Sequence, residues 1–363
     1  MIKTVSASVF AILLSSGVAL AQSGYARSDG VNAVVYLGDD NHIYELSLTD
    51  AWRPADLTQL TLTFGFSDPA PYVRSDGINA VVFVGWWAHI YEYRLAGVQW
   101  RVLDLTQLTG APLASIPQPA PYVRSDGINA VVYGGLDSHI YELRLERDGW
   151  HPADLTQLTG APLGQNPRGY VRSDRINCVV YWNNDWASDI YELRLERDGW
   201  HAADLSALTG AFPGQDPRPY VRSDGISAVV YRADINNHVY ELRLENGWHP
   251  ADLSWLTGAP PAILDPVPYV RADGINAVVY MGALDYHINE LRLERDGWHV
   301  ADLTQLIGAP LPYPPTLDDR GNPAPYVRSD GISAVVYTGD DNHIYELSLQ
   351  RDGWHAGDLS AGG

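Results

Sequence analysis

The stretch SDGINAVVY at residues 125–133 is one of seven near-identical copies in this chain. The others read SDGVNAVVY at 28–36, SDGINAVVF at 75–83, SDRINCVVY at 173–181, SDGISAVVY at 223–231, ADGINAVVY at 272–280 and SDGISAVVY at 329–337. A catalytic sequence is ordinarily needed once. Seven copies read first as architecture and second as up to seven equivalent binding positions.

A tyrosine before each copy marks the repeat: Tyr25, Tyr72, Tyr122, Tyr170, Tyr220, Tyr269 and Tyr326, spaced 47–57 residues apart. The longest interval carries a Pro-rich insertion, PLPYPPTLDDRGNPAP, at 310–325. Within one unit four short runs have strand character. In the third unit they are 122–125, 129–133, 139–145 and 150–155. The second run is apolar and β-branched, as a strand buried on both faces should be. The third alternates, with Tyr141, Leu143 and Leu145 on one side and Ile140, Glu142 and Arg144 on the other, a period of two. Asp-Gly in SDGI and RDGW marks tight turns, since glycine adopts positive φ freely. Thr-Gly-Ala-Pro, as at 109–112, marks a longer connection. Four antiparallel strands repeated seven times predict an all-β fold, a seven-bladed β-propeller of four-stranded antiparallel blades. A β-solenoid is less suited, because its coils are usually shorter. If the strand at 25–29 were the outermost strand of the last blade, it would pair with 354–359 and close the ring.

Composition narrows function. The net charge is −20 and the only lysine is Lys3, so neither a phosphate backbone nor an anionic membrane is attracted and no nucleic-acid partner is expected. Cys178 is the sole cysteine, which excludes intrachain disulfides and cysteine metal sites. No metal and no cofactor is expected. Residues 1–21 have the form of a secretory signal: Lys3, an apolar stretch from about Val9 to Leu20, and a small-x-small Ala-Leu-Ala end. The expected products are a leader over 1–21 and a single propeller over 22–363, secreted to the periplasm or outside the cell. No later segment is long enough to span a bilayer as a helix.

Strand direction sorts the turns onto two rims. One carries the Arg-Ser-Asp-Gly and Glu-Arg-Asp-Gly-Trp turns; the other carries hairpins such as GDDN (38–41) and the TGAP connections. On the first rim stand Trp52, Trp100, Trp150, Trp200, Trp248, Trp298 and Trp354, with Arg27, Arg74, Arg124, Arg172, Arg222, Arg271 and Arg328. An indole face covers sugar C–H groups and a guanidinium bonds hydroxyls, so this set is the first choice for a carbohydrate site. The competing reading packs the indoles between blades and pairs the arginines with buried acids. On the opposite rim six units place a histidine, His42, His89, His139, His238, His287 and His343, beside Asp/Asn-rich hairpins. These are the second choice, against a role in hairpin structure; Asp189 replaces the histidine in the fourth unit. The repeated acids Glu45, Glu92, Glu142, Glu192, Glu241, Glu290 and Glu346 read better as ion-pair partners between blades than as acid–base catalysts. Asp56, Asp104, Asp154, Asp204, Asp252, Asp302 and Asp358 read as caps. The departures from the repeat are Trp86-Trp87, 183–186 (Asn-Asn-Asp-Trp), Arg175, Ala272 and Asn289.

The pattern R-S-D-G-x-N-A-V-V-Y, then G-x-D-x-H-I-Y-E-L, then G-W-x-x-A-D-L-T-x-x-T-G-A-P resembles the repeats of the Photorhabdus-type bacterial lectins, over residues 25–360. The resemblance implies a seven-bladed propeller that binds L-fucose and O-methylated sugars at several sites, and homo-oligomers in some members. The expectation is a secreted, multivalent, calcium-independent lectin with glycan partners, and not an enzyme. Two alternatives stay open: a propeller scaffold that binds a protein partner, and a glycosidase or lyase with one axial site.

Overall fold

The computed structural model describes residues 19–115, 118–184, 188–314 and 322–360. Residues 1–18, most of the segment expected as a leader, the insertion's residues 315–321, and Asp185 and Trp186 lie outside them. The architecture is the expected seven-bladed β-propeller. Seven four-stranded antiparallel sheets each use strands consecutive in sequence.

Blade 3 shows the build. Its inner strand is Ala120–Val123, followed by Asn129–Gly134, Ile140–Glu146 and the outer strand Gly149–Asp154. Every residue of Asn129–Gly134 is buried, because blades press on both of its faces. The alternation of the third strand sends its two sides to different neighbours. Tyr141 and Leu143 join the layer against blade 2, with Val82, Ile90 and Leu105; Ile140 joins the layer against blade 4, with Val179 and Leu193. The core is therefore seven inter-blade layers, one per seam. Each fully buried Val, Leu or Tyr there contributes roughly 1.5–3 kcal/mol.

The seven-fold motif locks neighbouring blades. The Ser125 backbone N–H donates to Asn177 Oδ1 of blade 4 at 2.7 Å. Ser28 uses Asn79, Ser75 uses Asn129, Ser223 uses Asn276 and Ser329 uses Asn32; Ser173 and Ala272 use the hydroxyls of Ser227 and Ser333. The first and fifth residues of SDGINAVVY are thus the two halves of one lock.

Closure differs from expectation. The first strand, Ala19–Ala26, is the inner strand of blade 1 and pairs with Asn32–Gly38; the outer strand of blade 7, Gly353–Asp358, pairs only with Ile344–Gln350. Among the described residues no strand is exchanged between first and last blades. The seam closes like the other six, through Val34, Tyr36 and Leu46 of blade 1 against Tyr326, Val336 and Ile344 of blade 7, and through the Ser329–Asn32 lock.

A second difference is a helical turn after the outer strand, found among the described residues in six blades, for example Leu155–Thr159. Asp154 caps it by accepting from Gln157 N–H, and Gly160 ends it at φ 66°. Aspartate before an apolar residue, with a left-handed glycine after the turn, is a start-and-stop signal that strand periodicity masks.

Candidate functional site

On the turn rim the arginines are committed internally. In every blade Nη2 contacts the aspartate two residues on, at 2.5–3.0 Å, and Nη1 contacts the buried glutamate of the same blade at 3.1–3.6 Å. The marker tyrosine donates its hydroxyl to that glutamate, as Tyr122 does to Glu142 at 2.8 Å. The ion pair expected between blades thus lies within each blade, because inner and third strands of one sheet bring Tyr, Arg and Glu together. Burial raises each glutamate's pKa, opposed by guanidinium and phenol. The indoles occupy the inter-blade layers: Trp150 and Trp354 are buried, and Trp52, Trp100, Trp200, Trp248 and Trp298 are partly covered. Trp100 also bonds Glu45 of blade 1.

The connector rim is organised differently. Each capping aspartate has two tasks. Asp154 Oδ1 takes the helix N–H, and Oδ2 holds His139 Nδ1 at 2.8 Å. The same pair forms at His42–Asp56, His89–Asp104, His238–Asp252, His287–Asp302 and His343–Asp358, at 2.5–2.8 Å. A carboxylate only accepts, so Nδ1 carries a proton, and Nε2 faces outward, an acceptor in the neutral ring and a donor in the imidazolium. The imidazoles are a quarter to a half exposed. Several stack on the tyrosine two residues on, His139 on Tyr141 with centroids 6.1 Å apart. Hydrogen bonding to Asp358 raises the pKa of His343.

Beside the pairs of blades 1, 2, 3 and 5 the connector crosses to the next blade and is stitched on both flanks; beside that of blade 6 it bonds blade 7. Ala114 N–H donates to Ala88 O, next to His89, and Leu136 N–H of blade 3 donates to Leu113 O. The corresponding bonds are Gly65 to Asn41 in blade 1 and Gly164 to Ser138 in blade 3, with Asn184 of blade 4 on Leu163. The seam between blades 2 and 3 therefore presents the His89–Asp104 pair, exposed Leu113 and exposed Leu136. The seam between blades 1 and 2 is aromatic: Phe64 meets His42 and Trp86 edge-on, at 5.1 and 5.8 Å. Counting seams with both a His–Asp pair and a following connector gives five: 1–2, 2–3, 3–4, 5–6 and 6–7. At seam 4–5, Tyr191 donates to Asp204 instead, and Asp189 stands at the histidine position. At seam 7–1 the described chain ends at residue 360, just past the outer strand. The apolar connector residues, Phe64, Leu113, Leu163 and Leu311, escape a reading of the sequence, since each sits in the least regular part of its unit.

Among the described residues the departures do not converge on a catalytic constellation. Trp87 is largely exposed on the connector rim, and Asn183 is buried and accepts the Asp189 N–H. Carboxylate and imidazole atoms approach one another at Asp285, His287 and Asp302, and at Glu146, Asp148 and His151 with two copies. Each set is partly exposed and already internally paired by histidine or arginine.

Comparison places this geometry in a fold class. No protein-family profile matches the chain, and no curated protein matches it in sequence. Among solved structures, AofleA from Arthrobotrys oligospora is similar with a TM-score of 0.52 at 13% identity, over 79% of this chain and 87% of that one. The fucose-specific lectin from Aleuria aurantia is similar with a TM-score of 0.49 at 13% identity, over 95% and 96%. SapL1 lectin, solved with alpha methyl fucoside, gives 0.48 at 13%, over 79% and 97%. At such identity the likeness is one of fold: this chain is a repeat β-propeller.

Proposed function

We propose that this protein is a multivalent carbohydrate-binding lectin, secreted after loss of residues 1–21, whose sites are the five connector-rim clefts. The observation that carries the reading is the repeated pairing of an oriented, solvent-facing His–Asp dyad with an apolar connector neighbour: exposed Leu113, Leu163 and Leu311, half-buried Phe64, and half-buried Pro261 at seam 5–6. A sugar offers both matching surfaces: a C–H face for the apolar residue and hydroxyls for Nε2 and the carboxylate. The alternative rim has its arginines held by acids and its indoles packed in the seams, so it offers fewer free groups. The resemblance of the repeats supplies the sugar class, L-fucose and O-methylated sugars. Individually weak clefts on one rigid ring gain avidity on a surface that displays many copies of the sugar. No step of bond making or breaking is required, and the reading is binding, not catalysis.

The test is retention on immobilised fucosylated glycan, with elution by free L-fucose. Replacing His89 and His139 by alanine should weaken retention progressively. Retention that is indifferent to both, but lost in Arg124→Ala protein with an unchanged melting temperature, would move the sites to the other rim.

A further inference from the structure

Around the propeller axis, the position two residues before each marker tyrosine is small or apolar in five blades: Ser23, Ala70, Ala120, Val267 and Ala324. Blades 4 and 5 place Arg168 and Arg218 there. Both line an axial cavity of about 300 Å³, together with Ser23, Ala70, Ala120 and Val267. The inner strands of these blades, Gly164–Val171 and Gly214–Val221, are twice as long as the four-residue inner strands of blades 2 and 3. Each carries an irregularity just before its arginine, where Asn166 and Asp216 take φ of 49° and 50°. Such bulges commonly re-aim side chains beside binding sites.

The charges in this region are already balanced. Arg218 Nη2 lies 3.7 Å from Asp265 Oδ2, and Arg168 Nη1 donates to Gln118 Oε1 at 3.1 Å. Asn166 Nδ2 donates to Asp216 Oδ1. Asp216, Asp265 and Asp68 all act electrostatically on Arg168 against Arg218 and burial. With three carboxylates near two guanidinia, the region does not select an anion. What is left over is polar and uncharged in kind. Arg218, which lines the cavity, keeps Nε as a buried donor without a partner. An unpartnered buried donor is costly, and a neutral hydroxyl group accepts from it without adding charge.

We propose that the axial cavity at blades 4 and 5 is a separate site that takes one neutral polyhydroxylated molecule of monosaccharide size. The size follows from the cavity, at the lower end of small-ligand pockets. The site is single because only one pair of adjacent blades carries the arginines.

The experiment is calorimetric titration of residues 22–363 with L-fucose, D-galactose, D-mannose and D-glucose in turn. At least one of these sugars should show a component of one site per chain. Arg168→Ala and Arg218→Ala should each weaken that component at least about tenfold, the effect of deleting a hydrogen bond from a charged group. His89→Ala and His139→Ala should leave it unchanged, so failure of the rim reading and failure of this one are separable. Both arginine variants restore the residue type found at Ala70, Ala120 and Ala324, so folding is expected; Arg218→Val, matching Val267, provides a second variant. No sugar with a component sensitive to Arg168 or Arg218 would overturn the proposal and leave water as the partner of the orphaned donor.

Discussion

Glu142 shows how one side chain is tied into the frame. It is fully buried and holds both Arg124 and Tyr122. Glu142→Ala leaves a buried guanidinium with only Asp126, and should cost about 3–5 kcal/mol, read as a lower urea midpoint. Burial raises its pKa, so the folded protein keeps this proton to higher pH than the unfolded chain does. That contribution is full below the ordinary carboxylate value of 4.5 and is lost as pH rises through the raised folded value. His343 behaves with the same sign for a different reason. Its bond to Asp358 favours the imidazolium, so its contribution is full below 6.5 and disappears as pH rises past its raised folded value. Asp358→Asn should return the His343 imidazole NMR titration toward 6.5; an unmoved titration would show that the bond does not form in solution.

At the scale of elements, the strands were legible and the helical turn was not. Period-two alternation at 139–145 and the β-branched run at 129–133 follow directly from burial on sheet faces. The turn Leu155–Thr159 is only five residues long, too short to show a helical period, and its evidence is the cap alone. The role of the capping aspartate as a histidine holder was equally hidden, because the two are some fifteen residues apart and meet only when the third strand pairs with the outer one. The candidate site was legible in part: the histidines were visible as a repeat, whereas their apolar neighbours come from irregular connectors. The arginine and tryptophan set was visible too, but a repeated residue looks the same whether it binds a ligand or holds a blade. Asp154→Ala should cost about 1 kcal/mol through the lost cap and also release His139, so both stability and sugar retention should fall. Asp189→His supplies the missing imidazole at seam 4–5 and should add a site, counted as one more equivalent of bound sugar. No added site would mean that the dyad alone does not define the cleft.

For the whole molecule, the absence of strand exchange between first and last blades has a mechanical consequence. The ring is held at seam 7–1 by packing and by the Ser329–Asn32 bond at 2.7 Å, with Gln22 reaching the Asn322 carbonyl at 2.7 Å. Deleting residues 22–30 removes most of the inner strand of blade 1 and the Gln22 bonds to blade 7, so cooperative folding should be lost, not merely weakened. Asn32→Ala touches only the lock, and a cost of roughly 1–3 kcal/mol is expected from the amide N–H left without its partner. The five clefts depend on this ring because each is built from two blades, and a lone unit contains none complete.

The central claim is that the repeat makes several like binding sites on one rim. It is tested most directly by calorimetric titration of residues 22–363 with L-fucose, counting equivalents bound per chain. About five equivalents of similar affinity are expected at the rim, falling by one for each of His42, His89, His139, His238 and His287 replaced by alanine. No heat at millimolar sugar, or a rim stoichiometry unaffected by all five replacements, would contradict it.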